Sequence, residues 1–90
     1  MKKRVLLSKG ATKEYSKLQR PRRKQVKAAL ERLSRPESRY RLDVKRLIGV
    51  GGRETLFRLR VGDYRIIFLE EEKSIKVTQI IHREKGYSWI

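Results

Sequence analysis

The chain has 90 residues and carries 25 Lys and Arg against 10 Asp and Glu, a formal charge of +15 with its one histidine neutral. At 38% apolar content it can bury one thin core, which excludes a two-domain enzyme and a large enclosed cofactor site. The absence of cysteine excludes disulfides, thiolate nucleophiles and sulfur-ligated zinc. A single histidine, His82, excludes sites built from two or three imidazoles, so neither a metal site nor a cofactor is expected. The longest apolar runs, Val5-Leu6-Leu7 and Ile66-Ile67-Phe68-Leu69, fall far short of the roughly 20 residues that span a bilayer. The basic start at Met1-Lys2-Lys3-Arg4 is followed by only three apolar residues, which is no signal peptide. The expectation is one soluble, cytoplasmic domain over residues 1–90 with no membrane contact. Its charge predicts a polyanionic partner, nucleic acid first and an acidic protein second.

The charge is unevenly placed. Residues 2–46 hold 17 basic and 4 acidic side chains, a net +13, whereas residues 47–90 hold 8 and 6. Residues 3–7 read as a short strand. Ser8 can cap a following helix in which Ala11, Tyr15 and Leu18 recur at i, i+4 and i+7. Pro21 suits the first turn of a second helix with an apolar stripe of Val26, Ala29, Leu30 and Leu33, which ends at Ser34-Arg35-Pro36. The other face of that helix carries Arg22, Arg23, Lys24, Lys27 and Arg32. From Pro36 to Arg53 no regular element is predicted, only a short apolar stretch (Val44, Leu47, Ile48) and a flexible turn at Gly49-Val50-Gly51-Gly52.

Three strands follow, at 56–61, 64–69 and 75–82. The first two flank Gly62-Asp63, a two-residue hairpin signal, and residues 70–74 make the next turn. The resulting fold class is α+β in the order β-α-α-β-β-β, with a helical hairpin packed on one face of a small, mostly antiparallel twisted sheet. If Gly62 and Asp63 are the loop, Arg60 faces Arg65, Leu59 faces Ile66 and Arg58 faces Ile67. Phe57, Leu59 and Val61 with Tyr64, Ile66 and Phe68 then form the buried face, and the arginines lie on an open one. Strict alternation in the last strand places Lys76, Thr78, Ile80 and His82 on the open face and Ile75, Val77, Gln79 and Ile81 on the core face. A bulge would reverse this.

Each feature has two readings. The basic helix is either a solvated charged surface or an electrostatic docking site. The absence of any acid from Arg20 to Lys27 favours docking on phosphates. Two guanidiniums opposed across a hairpin repel each other when empty, and that repulsion is relieved by an anion, whose oxygens the planar fork matches. His82 is either structural or, in a cationic neighbourhood with Arg83 and Tyr87, a base near neutral pH. Tyr87 and Trp89 either plug the core or stack on a base. The run Glu70-Glu71-Glu72 reads as a solvated turn.

Together these residues resemble the RelE/ParE superfamily of toxin–antitoxin toxins over essentially the whole chain. The resemblance rests on the first strand ending in Ser8, the basic helical hairpin, Asp43-Val44-Lys45-Arg46-Leu47, the stretch LFRLRVGDYRIIF (residues 56–68) and the tail His82-Arg83-Glu84-Lys85-Gly86-Tyr87. RelE-type members cut messenger RNA on the ribosome, whereas ParE-type members share the fold and poison DNA gyrase. The resemblance implies a metal-independent endoribonuclease in which a ribose 2′-OH attacks the adjacent phosphorus. Arg65 and Arg83 would stabilise the phosphorane, Arg58 and Arg60 would hold flanking phosphates, and His82 or Tyr87 would move the proton. Arg22, Arg23, Lys24 and Lys27 would bind RNA. Arg58 and Arg60 stand where well-studied RelE members carry lysines, and arginine cannot act as a base. The implied partners are an acidic RelB-like antitoxin, the ribosome and mRNA, with operator DNA bound by the toxin–antitoxin complex. The alternatives are a ParE-like gyrase poison and a catalytically weak antitoxin-binding homologue.

Overall fold

The first strand of the computed structural model, β1 (Arg4–Leu7), alternates exposed and half-buried residues; the structure describes residues 2–47 and 55–83. Its Val5 and Leu7 turn inward against the core. The chain then enters helix α1 (Lys9–Lys17), where the Ser8 hydroxyl accepts from the Ala11 N–H at 3.0 Å, the expected N-cap. Helix α2 (Arg20–Leu33) has proline in its first turn and buries Val26, Leu30 and Leu33. Ala11 and Leu18 complete the helical half of the core.

Strands β2 (Asp43–Leu47), β3 (Leu56–Val61), β4 (Tyr64–Glu70) and β5 (Ser74–His82) follow in chain order. The sheet is ordered β1-β5-β4-β3-β2, antiparallel throughout except for the parallel β1–β5 pair. This is the α+β, mostly antiparallel architecture expected, with both helices on one face. There Leu59, Ile66, Phe68, Ile75, Val77 and Ile80 meet the helical residues in one cluster. Phe57 stacks on Phe68 across β3 and β4 with ring centroids 5.5 Å apart. The Gly62-Asp63 hairpin has the expected register, Val61 opposite Tyr64, and Gly62 takes a φ of +57°, which a side chain would resist.

The structure departs from the sequence reading in three places. Residues 43–47, read as irregular, form the edge strand β2 beside β3, and a single 3-10 turn at Pro36–Ser38 precedes it. Only Val44 and Leu47 mark this strand in the sequence, too short an alternation among charged residues to register. Glu70, read as part of a solvated turn, is instead half-buried. Both guanidinium Nη atoms of Arg39 bond its carboxylate, and Lys3 Nζ reaches it at 2.9 Å, pinning the post-α2 segment and the residue before β1 to the end of β4. These donors, Arg39 foremost, hold the Glu70 carboxyl below its ordinary range against the opposing effect of burial. The third departure is a β-bulge in β5. Ile67 pairs with Gln79 and Phe68 with Val77, so Thr78 is an extra residue. Its carbonyl accepts from the Ser8 hydroxyl at 2.9 Å, and its own hydroxyl donates to the Ile67 carbonyl at 3.3 Å. The Gly49–Gly52 turn and Ile48 lie outside the described residues.

Candidate functional site

The face of the sheet opposite the helices is built from the alternate residues of each strand. Two rungs cross it side by side. One runs Asp43, Arg60, Arg65, Ile81 from β2 to β5, and the other runs Lys45, Arg58, Ile67, Gln79. Directly opposed side chains start about 4.5–5.5 Å apart at Cβ, so Arg60 and Arg65 stand beside one another, as the hairpin register requires. Among the described residues neither guanidinium is hydrogen-bonded or ion-paired.

Arg58 behaves differently. It is only 8% exposed, and its Nη2 donates to Asp43 Oδ1 at 3.3 Å. The sequence reading had no partner for Arg58. The missing signal was β2 itself, since Asp43 reaches Arg58 only once residues 43–47 pair with β3. Three arginines of the sequence reading are thus brought onto one face, two of them uncommitted and one tethered.

His82 is not among them. The expectation that it joins the open face is corrected by the Thr78 bulge, which reverses the alternation of the rest of β5. Ile80 becomes a core residue, and His82 pairs with Tyr64 on the helix-covered side, the two rings edge to face with centroids 5.0 Å apart. Gln79 and Ile81, expected in the core, take the open face instead. Arg83 follows directly at the hairpin end of the sheet. Its backbone N–H donates to the Asp63 carbonyl at 2.8 Å, and its exposed side chain lies 3.8 Å from Asp63 Oδ1. Tyr87 and Trp89 lie outside the described residues.

The basic helix forms a separate surface. Arg22, Lys24 and Lys27 are exposed on α2 and Arg23 is half-buried, on the side of the molecule away from the arginine rungs. Arg22 Nη1 donates to Gln25 Oε1 at 2.9 Å. A third feature is an apolar hollow of about 280 Å³ beside the bulge, walled by Leu6, Leu69, Val77 and Thr78. Among the described residues no cluster of three His, Cys, Asp or Glu side chains is present, and no helix is long and apolar enough to cross a membrane.

A helical pair over a five-stranded sheet, with an uncommitted arginine pair on the open face, defines a small α+β domain. Residues 5–87 match the family described as ParE toxin of type II toxin–antitoxin system, parDE. The chain belongs to this family, within the RelE/ParE superfamily that the LFRLRVGDYRIIF stretch resembles. Among solved structures, it is similar to the archaeal RelE–RelB complex from Pyrococcus horikoshii OT3, with a TM-score of 0.77 and 28% identity over 96% of this chain and 100% of that one. It is also similar to the RelB–RelE antitoxin–toxin complex from Methanococcus jannaschii, with a TM-score of 0.75 and 25% identity over 96% and 99% of the two chains. No curated protein gives a sequence match. The coarse reading, a toxin of a type II toxin–antitoxin system, is therefore established.

Proposed function

We propose that this toxin is a ribosome-dependent, metal-independent endoribonuclease that cleaves mRNA. The observation that supports it is the pair Arg60 and Arg65, two guanidiniums opposed across a hairpin with no anionic partner among the described residues. Successive phosphates of an RNA backbone relieve their repulsion, one accepting from each fork. In the reaction the ribose 2′-oxygen bonds to phosphorus and the bond from phosphorus to the 5′-oxygen breaks. The products are a 2′,3′-cyclic phosphate and a free 5′-OH. One proton leaves the 2′-OH and one is delivered to the 5′-oxygen, so no oxidant or metal is needed for balance. Arg65, with Arg83 at the same end of the sheet, bears the phosphorane charge; Arg60 holds a flanking phosphate, and tethered Arg58 holds the floor beneath them.

Proton transfer falls to groups other than His82, which faces the helices. Tyr87 remains assigned to it from the tail motif. Of the described residues in the two rungs, Asp43 is the one ionised group able to accept a proton. The exposed basic surface of α2 is assigned to ribosomal RNA. An acidic RelB-like antitoxin is the proposed inhibitor, as the two similar toxins are seen in complex with RelB, and the joint complex is assigned to operator DNA.

A second reading, a ParE-type gyrase poison, is favoured by the matching family's description. Induction of the toxin followed by primer extension decides between them. Cuts at ribosomal A-site codons, lost in Arg65→Ala, support the nuclease. Intact mRNA with induced DNA-damage response overturns it in favour of gyrase.

A further inference from the structure

The turn between the 3-10 segment and β2 holds an aromatic ring in water. Tyr40 is 80% exposed, and two guanidiniums lie against its ring: the central carbon of Arg32, from the end of α2, is 5.6 Å from the ring centroid and that of Arg41 is 5.8 Å from it. Neither guanidinium is ion-paired among the described residues. The backbone that carries the ring is fixed on both sides. Arg32 Nε donates to the Ser38 carbonyl at 3.3 Å, and Arg39 Nε donates to the Leu33 carbonyl at 2.7 Å while its other two nitrogens hold Glu70. The Leu42 N–H then closes the turn on the Arg39 carbonyl at 2.9 Å. Tyr40 also stands where the helical layer meets the edge of the sheet. One guanidinium on its ring belongs to α2, and three residues further on Asp43 opens β2 opposite Arg60. A chain spans at most about 3.6 Å per residue, so the Tyr40 and Asp43 backbones lie within roughly 11 Å of each other.

We propose that Tyr40, with Arg32 and Arg41, is a stacking site for one base of a single-stranded RNA that runs from the arginine pair, around the β2 edge, to the basic surface of α2. The inference rests on the nucleic-acid reading of Arg60 and Arg65. An unpaired nucleotide joins a flat π face to a phosphate, and the site joins a flat ring to two cations. Arg41, which makes no hydrogen bond among the described residues, gives up its place against the ring to the base and meets the adjoining phosphate. Arg32, held by Ser38, stays beside the ring. An acidic peptide could satisfy the guanidiniums, but its carboxylates bring no π face to Tyr40. Every base has such a face, so the site is indifferent to sequence.

The test measures binding separately from cleavage. Two fluorescent, uncleavable 2′-O-methyl RNA dodecamers of equal charge, one of mixed sequence and one abasic throughout, are titrated with the full chain by anisotropy at several salt concentrations. Tyr40→Ala and Tyr40→Leu are expected to weaken the base-bearing strand about tenfold, within the range that loss of one base–aromatic stack produces, and to leave the abasic strand within about twofold. Their slope of log K against log salt is expected to match the parent's, because no phosphate contact is lost, whereas Arg41→Gln is expected to lower that slope by about 0.7 on both strands. Tyr40→Phe keeps the ring and is expected to bind within about twofold of the parent. Parent-like binding of the base-bearing strand by Tyr40→Ala and Tyr40→Leu overturns the site, as does an equal loss on both strands or a Tyr40→Phe protein as weak as Tyr40→Ala. An equal loss on a glutamate dodecamer overturns it in favour of an acidic protein. Base-dependent binding through Tyr40 in a protein that leaves cellular mRNA intact retains the site and refutes only the nuclease reading.

Discussion

Ser8→Ala tests the junction on which the orientation of β5 depends. The Ser8 hydroxyl caps α1 by accepting from the Ala11 N–H and also donates to the carbonyl of Thr78, the extra residue of the bulge. Losing an N-cap costs about 1 kcal/mol. The Thr78 bond is exposed, so water replaces much of it and its loss adds about 0.5 kcal/mol. A total near 1.5 kcal/mol corresponds to a Tm lower by about 6–12 °C for a domain of this size. In urea the midpoint falls while the slope m stays constant, because the surface exposed on unfolding is unchanged. Ser8→Asp separates the two bonds, since a carboxylate caps the helix but cannot donate to Thr78. α1 has no acid in its first turn, so the added charge also meets a favourable helix dipole, and Ser8→Asp is expected within about 0.5 kcal/mol of the parent. A Ser8→Ala protein as stable as the parent, or a Ser8→Asp protein as weakened as Ser8→Ala, would refute this account.

Glu70→Gln removes the acceptor shared by Arg39 and Lys3 and is expected to cost on the order of 1–2 kcal/mol, discounted because the group is partly solvated. Because the folded state lowers the Glu70 pKa below its ordinary 4.5, the carboxylate's contribution is present above that pH and is lost as pH falls through the folded value. Urea midpoints measured from pH 6 to pH 3 should therefore decline less steeply for Glu70→Gln than for the parent; parallel curves would remove Glu70 from the acid limb. On the basic helix, neutralising Arg22, Lys24 and Lys27 together with glutamine is expected to reduce the slope of log K against log salt for single-stranded RNA by about 2, at roughly 0.7 per phosphate contact. An unchanged slope would show that α2 does not touch the RNA backbone.

The sequence legible by itself is the part whose physics is local. Helix periodicity, the Ser8 cap, Pro21 and the Gly62-Asp63 turn act over a few residues, and together they determined both helices, the β3–β4 hairpin and the meeting of Arg60 with Arg65. The family was legible for the same reason, since its motif lies in that hairpin. The uneven charge, +13 of it before residue 47, and its separation into an α2 surface and an arginine pair on the open face were both legible, because helix and hairpin periodicities are local. The tertiary structure decided what depends on residues distant in sequence. β2 is a strand because β3 offers it an edge, and Arg58 gains Asp43 only through that pairing. Glu70 is held by Lys3 and Arg39, brought from the residue before β1 and the segment after α2. The bulge at Thr78 is the sharpest case. Two-residue alternation predicts His82 beside the arginines, yet one extra residue, held by a serine 70 positions earlier, turns His82 to the helices and presents Gln79 in its place. Side-chain direction in a strand has a period of two, so a single inserted residue, stabilised only from elsewhere in the fold, reverses every assignment beyond it.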